Sequence, residues 1–283
     1  MQGAEPVFEL RLARDAADLR AAQRLRYDVF VRELGSGGPL VDHDQKLEKD
    51  VFDPYFDHLI LFDHARAGSP AVGVYRLMRG ERMTAEQGGP GRFYSEDEYD
   101  LTVLKTSGRK LLELGRSCVH PDYRGGTAML HLWNGLASYV AEHEIEILFG
   151  VASFHGTDID ALKGPLSLLH HRHLAPPELR TTAQRDVYQS MNLLPEDQID
   201  RPAAMRAVPA LIKAYLRVGG FVGDGAFVDH GFNTTDVCLI MDTKRMSAKH
   251  KAYYTEGKTG PRNTGPRNTG PRNTGPRNTE QKT

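Results

Sequence analysis

"LLELGRSCVHPDYRGG", Leu111 to Gly126, is the stretch on which the reading of the fold turns. Leu111 to Val119 has the apolar density of a buried strand, yet it carries Glu113 and Arg116. Simple alternation sends these two side chains to opposite faces. Gly115 lies between them, however, and a glycine inside a strand often marks a bulge that resets the alternation. A bulge would also break pairing, splay the strand from its neighbour and free backbone N–H groups able to hold a reacting carbonyl. The plainer alternative is a buried Glu–Arg pair that serves only the fold. The following "HPDYRGGTA" is a turn into a helix, where Arg124, Gly125, Gly126 and the unpaired N–H groups of a helix start could bind a phosphate. No G-K-[ST] follows, so it is not a Walker loop, nor is it the dinucleotide fingerprint. An ordinary strand-to-helix turn is the competing reading.

Working outward, Met129, Leu132, Trp133, Leu136 and Val140 recur at helical spacing and predict a helix over 127–143. "EILFGVASFHG" then predicts a strand buried on both faces. Toward the amino terminus, "FELRLA" alternates as a strand, and Asp15 stands at an N-cap position before a helix running to about Leu34. "HLILFDH" and "AVGVYRLMRG" predict an antiparallel hairpin. Later, "DIDALKGPLSLLHHRHL" reads as helical pieces broken at Gly164 and Pro165. "PALIKAYLRVGG" reads as a helix, and "AFVDHGFNTTDVCLIMD" as one or two closing strands. This order predicts one mixed α/β (α+β) domain over residues 1–255, built around a central sheet flanked by helices.

The chain has 283 residues and is 40% hydrophobic, ample for a core. No apolar run reaches membrane-spanning length and the first residues lack the pattern of a secretory signal, so a cytoplasmic protein is expected. The two cysteines, Cys118 and Cys238, lie in apolar segments and read as small buried hydrophobes rather than a disulfide or metal pair. The final segment repeats T-G-P-R-N four times without an apolar residue, so residues 256–283 are expected to be a disordered basic tail. That tail is either a solvated appendage or an arm that touches anionic lipid or an acidic protein.

"LEKDVFDP" gathers Glu48, Asp50 and Asp53, which form either a solvated acidic loop or a receptor for a cationic amine. The cluster "HHRH", His170 to His173, reads as surface histidines, since adjacent positions on a helix diverge, and no metal is expected. Ser117 and Ser153 lack a nucleophile-elbow context.

In order along the chain, "LRYDVFVREL", "LEKDVFD", "GVYRLM" and "LELGRSCVHPDYR" resemble the motifs shared by autoinducer synthases and the ornithine lipid N-acyltransferases. The form E-L-G-R-S-C-V is more similar to the latter. The resemblance covers roughly Phe8 to Met246 and implies a fold like that of the GNAT superfamily. It also implies transfer of a 3-hydroxylated fatty acyl group from acyl carrier protein to the α-amino group of ornithine, giving lyso-ornithine lipid. No tightly bound cofactor and no nucleic acid are implied; the partners are acyl carrier protein and a small amino acid, with peripheral contact at the inner membrane.

Carried over by position, Glu48 or Glu113 would be the general base, and Arg26, Arg76 or Arg116 would bind the substrate carboxylate. Asp50 or Asp53 would hold its side-chain ammonium. Phe30 pairs with Arg26 in the first-helix motif, while Arg124, Gly125 and Gly126 would meet the donor's phosphopantetheine. Autoinducer synthases usually have serine at the place of Gly115, and the turn does not keep the second glycine of acetyl-CoA users; both departures favour the ornithine lipid branch and a carrier-protein donor. The alternatives are the same chemistry on glutamine or another amino acid, acyl-homoserine lactone synthesis, and a catalytically silent acyl-carrier or lipid-binding module.

Overall fold

Alternation along the second strand sends Leu59 and Leu61 to one face and Ile60 and Phe62 to the other, and all four are buried. A strand buried on both faces must lie inside a sheet covered on both sides. The computed structural model describes residues 5–245 and has this architecture. The expected domain end at residue 255 and the T-G-P-R-N tail lie outside the described residues.

The strands are β1 (Phe8–Leu12), β2 (Asp57–Asp63), β3 (Ala71–Arg79), β4 (Tyr99–Asp100), β5 (Leu111–Val119), β6 (Ile147–His155), β7 (Thr182–Ala183), β8 (Tyr188–Gln189), β9 (Phe221–Val222), β10 (Ala226–Asp229) and β11 (Thr234–Asp242). The helices are α1 (Ala16–Arg26), α2 (Thr102–Lys105), α3 (Ala128–Glu142), α4 (Ile159–His173), α5 (Arg201–Ala207) and α6 (Ala210–Arg217). The main sheet runs β1-β2-β3-β5-β6-β11-β10-β8, with β9 also pairing β11. Its pairs are antiparallel except β5–β6, the two strands joined by α3.

Leu132, Leu136 and Val140 of α3 and Ile212 and Tyr215 of α6 share one core with Leu59, Leu61 and Leu77. Ala22 and Leu25 of α1 pack on the opposite face with Ile60, Val74 and Cys118. Each large apolar side chain withdrawn from water in these layers contributes about 1.5–3 kcal/mol.

Two helices differ from expectation. The first stays α-helical only to Arg26; Tyr27–Glu33 form a π-helical continuation, which Leu34 N–H closes by donating to the Val29 carbonyl at 3.1 Å. The fourth is unbroken through Gly164 and Pro165. Asp158 caps it by accepting from Asp160 and Ala161 N–H, and Leu166, Leu168 and Leu169 are buried. That burial outweighs the roughly 3 kcal/mol that an interior proline costs.

Candidate active site

The β5–β6 ladder covers only Leu111↔Ile147, Leu112↔Leu148 and Glu113↔Phe149, although both strands continue beyond it. At its end the two backbones come so close that a Cβ on Gly150 would lie 2.1 Å from the Leu114 carbonyl oxygen, so only glycine fits. Beyond this point the strands part, and Leu114–Ser117 face Leu148–Ser153 across a cavity of about 260 Å³.

On its other side β5 is bulged. Val74 of β3 pairs with Cys118 and Arg76 with Gly115, which leaves an extra residue on β5. The bulge expected at Gly115 is present, but the left-handed residue is Arg116, at φ +49°. A non-glycine residue held there carries strain of order 1 kcal/mol. The result is that the Arg116 side chain lines the cavity.

Behind Arg116 lies a buried ionic cluster. Arg26 donates from Nε to Glu48 Oε2 at 2.5 Å and from Nη1 and Nη2 to Asp53 at 2.7 and 2.9 Å. Arg76 donates from Nη1 to both Asp50 oxygens, at 2.7 and 2.6 Å, and to Asp53 Oδ1 at 2.9 Å; its guanidinium lies 4.3 Å from the Phe56 ring centroid. Arg116 completes the set, donating from Nε to Glu48 Oε1 at 3.1 Å and from Nη2 to Asp50 Oδ2 at 3.3 Å, beneath the rings of Tyr94 and Phe232. Three guanidiniums meet three carboxylates, so the formal charges cancel. Burial pushes the Asp53 carboxyl up, but Arg26 and Arg76 overcome that and hold it far below the usual range. Asp50 is likewise pushed up by burial yet held low by Arg76 and Arg116.

Of the residues nominated from sequence, Phe30, Gly115 and Arg116 line the cavity, whereas Arg26, Arg76, Glu48 and Asp53 are buried behind it. Glu113 does not reach the cavity. It accepts from Ser95 N–H and Oγ, both at 2.6 Å, and from Tyr94 N–H at 3.0 Å, tying the 93–97 loop to β5. Burial raises its pKa, and these three donors oppose the rise. Arg124 is not at the cavity either: its Nη1 and Nη2 grip Glu33 at 2.5 and 2.7 Å and its Nε meets the Val119 carbonyl at 3.0 Å. Gly125, at φ +77°, makes the turn that places Arg124 there. His171 of the histidine cluster contacts the Leu194 carbonyl at 3.0 Å, and among the described residues no group of three or more His, Cys, Asp or Glu could hold a metal. No helix of the described residues is long and apolar enough to cross a membrane.

The cavity wall also holds residues that sequence reasoning missed. Tyr94, Phe232, Asp229 and Asp236 line its polar part; Leu114, Leu148, Leu211, Leu239 and Met241 line the apolar part, where the hydroxyls of Tyr75 and Tyr215 meet at 2.6 Å. Burial raises the Asp236 carboxyl to about 6; the nearby Ser153 and Thr234 hydroxyls oppose this and Asp229 adds to it. The signal for Asp236 was present: it is an acid inside an apolar strand, the same anomaly that drew attention to Glu113.

An acetyltransferase (GNAT) domain model matches residues 25–134. The AHL synthase LasI has a TM-score of 0.47 and 14% identity, covering 89% of this chain and 96% of its own. An L-ornithine N(alpha)-acyltransferase of Rhodobacter capsulatus is 60% identical over 263 residues, which span 92% of this chain and 99% of that protein. One of Brucella abortus is 41% identical over 87% of this chain and 88% of its own. Identity at this level over nearly the whole length establishes that the chain is an acyltransferase belonging to the L-ornithine N(alpha)-acyltransferase family.

Proposed function

We propose that this enzyme transfers a 3-hydroxylated fatty acyl group from acyl carrier protein to the α-amino group of L-ornithine, giving lyso-ornithine lipid. The observation that carries this reading is the division of one cavity into a polar wall with Arg116, Asp229 and Asp236 and an apolar wall of Leu114, Leu148, Leu211, Leu239 and Met241. An amino acid suits the first and a fatty chain the second, each buried methylene adding about 0.8 kcal/mol.

A thioester is already activated, so the enzyme's task is alignment and charge stabilisation. Arg116 binds the substrate carboxylate. Backbone N–H groups on the parted edges of β5 and β6 face the acyl oxygen, which gains negative charge as the C–N bond forms. The C–S bond then breaks, and the proton lost by nitrogen balances the departing pantetheine thiolate.

Two sequence assignments change. Both oxygens of Glu48 are held by arginines, so it acts as a positioning residue for Arg116 rather than as the base, and Glu113 anchors a loop. Arg26 is engaged through all three guanidinium nitrogens, whereas Arg76 donates only from Nη1 and keeps Nε and Nη2 buried without a hydrogen-bond partner; both hold the acids behind Arg116 and neither lines the cavity. Arg124 meets the donor's phosphopantetheine only by exchanging Glu33 for phosphate, at the rim beside Leu34.

Expression in cells lacking amino lipids, followed by mass spectrometry of extracted lipids, tests the reading. A lyso-ornithine species that disappears with Arg116→Gln is expected. A glutamine-bearing or homoserine-lactone product would replace the proposed substrate, and an unchanged lipid profile would overturn the reading. Incubating the purified enzyme with acyl carrier protein and coenzyme A thioesters of the same chain decides the donor.

A further inference from the structure

The described residues contain a second group of acids, two of them buried and one partly buried, with no partner of opposite charge. Asp236 on β11 and Glu98 in the segment before β4 are each 5% exposed, and Asp229 closes β10 beside them. Asp236 Oδ1 and Glu98 Oε2 are buried without a well-aligned hydrogen bond, and so is Thr234 Oγ1 on the same wall; the Ser153 and Thr234 hydroxyls stand close enough to ease the Asp236 charge, but they bring no cation. No ion pair joins any of the three acids to a cation among the described residues; Arg116, the nearest charge opposing them, is bound to Glu48 and Asp50. Buried carboxylate oxygens are almost always satisfied, and leaving one bare costs more than its hydrogen bond would return. Here the bare oxygen belongs to a side chain lining the same cavity as Arg116, the guanidinium that suits an α-carboxylate.

We infer that Asp236, backed by Glu98 and Asp229, is the subsite for the side-chain ammonium of the acceptor amino acid. This rests on the reading of the cavity as an amino-acid acyltransferase site and assigns within it the residues that select a diamino acid. Asp50 and Asp53, the other acids considered for this role, already receive arginine donors and have no capacity left for a substrate cation. An acceptor anchored by its carboxylate at Arg116 and by its distal ammonium at Asp236 has its α-amine fixed between them. Glutamine and norvaline, which lack the distal charge, would leave the buried acids bare.

The test compares ornithine with norvaline, the same chain without the distal amine, in steady-state acylation by the purified full-length enzyme. Wild type should prefer ornithine, and Asp236→Asn should cut that preference at least about tenfold, the value of one hydrogen bond to a charged group. The loss should fall mainly on KM for ornithine rather than on kcat. Glu98→Gln should act in the same direction and serves if Asp236→Asn fails to fold as judged by circular dichroism. A preference for ornithine that survives both substitutions overturns the inference and leaves the acyltransferase reading standing. An equal fall in kcat for both acceptors, with KM unmoved, also overturns it, because the carboxylate would then act on the reacting amine. A wild-type enzyme that acylates neither amino acid fails the broader reading and the inference with it.

Discussion

Two buried charged regions meet at Arg116. On one side three arginines and three carboxylates cancel, every carboxylate receiving guanidinium hydrogen bonds. On the other, Glu98, Asp229 and Asp236 have no cation of their own among the described residues. One residue links the two regions, and Glu98 and Asp236 are as deeply buried as Glu48 and Asp53, so the difference is in compensation rather than in depth. A balanced cluster can be part of the scaffold, because each charge is solvated by its neighbours. An unbalanced one costs stability until something cationic arrives, and proteins keep such sites where function requires them.

The largest expected effect tests the balanced side. Arg26→Met leaves Glu48 and Asp53 short of a cation and should lower stability by about 3–5 kcal/mol in urea unfolding. The same cluster dictates the acid limb. Asp50 and Asp53 have depressed pKa values in the fold, so their contribution is present above about pH 4, the usual carboxylate range, and is lost as pH falls below it. A urea midpoint that stays level from pH 7 to pH 3 would break the contrast.

The opposite sign is expected across Arg116. Asp236, raised to about 6, favours the fold while protonated and loses that contribution as pH rises through its folded value. Asparagine mimics the protonated form. Asp236→Asn should therefore stabilise the ligand-free protein, by up to about 3 kcal/mol at pH 8, with the gain growing between about pH 4 and pH 6.5 and flat above. Parallel urea titrations of wild type and variant across that range measure it, and a destabilised variant at pH 8 would show that the acids are compensated after all.

Arg116→Gln should be milder, about 1.5 kcal/mol, since its two hydrogen bonds to carboxylate are long, at 3.1 and 3.3 Å. It should raise KM for ornithine and norvaline alike, in contrast to Asp236→Asn. The smallest effect is expected at Gly115, where an added Cβ comes no nearer than 3.8 Å to Arg76 Nε. Gly115→Ser should alter the thermal midpoint by the equivalent of about 1 kcal/mol or less. The glycine found where autoinducer synthases usually have serine is thus not imposed by space.

The strands and helices that carry the cleft were legible because their apolar spacing is strong: Leu111–Val119 has the expected bounds, and α3 and β6 differ from theirs by a residue at each end. Pro165 misled because local preference was weighed without the buried face of α4 that overrides it. The π-helical turn after Arg26 has no periodicity of its own to announce it. For the site, motif order located the acids and arginines of the balanced cluster, but sequence cannot say which partners saturate one another. Glu48, Asp50 and Asp53 read equally well as substrate receptors until their oxygens are seen to be occupied. Asp236 was passed over because nothing in "TTDVCLIMD" tells which of its two acids turns to a site, and Glu98 reaches Asp236 only through the fold.

The short parallel ladder between β5 and β6 divides the cooperativity of the molecule. Three residue pairs join a half-sheet of β1, β2, β3 and β5 to one built on β6 and β11, and the β3–β5 and β6–β11 ladders on either side of that seam are longer. Amide hydrogen exchange should see these halves as separate units, opening along the seam at lower free energy than either half unravels. A substrate lying in the cleft touches both, and its binding should slow exchange on the two sides together.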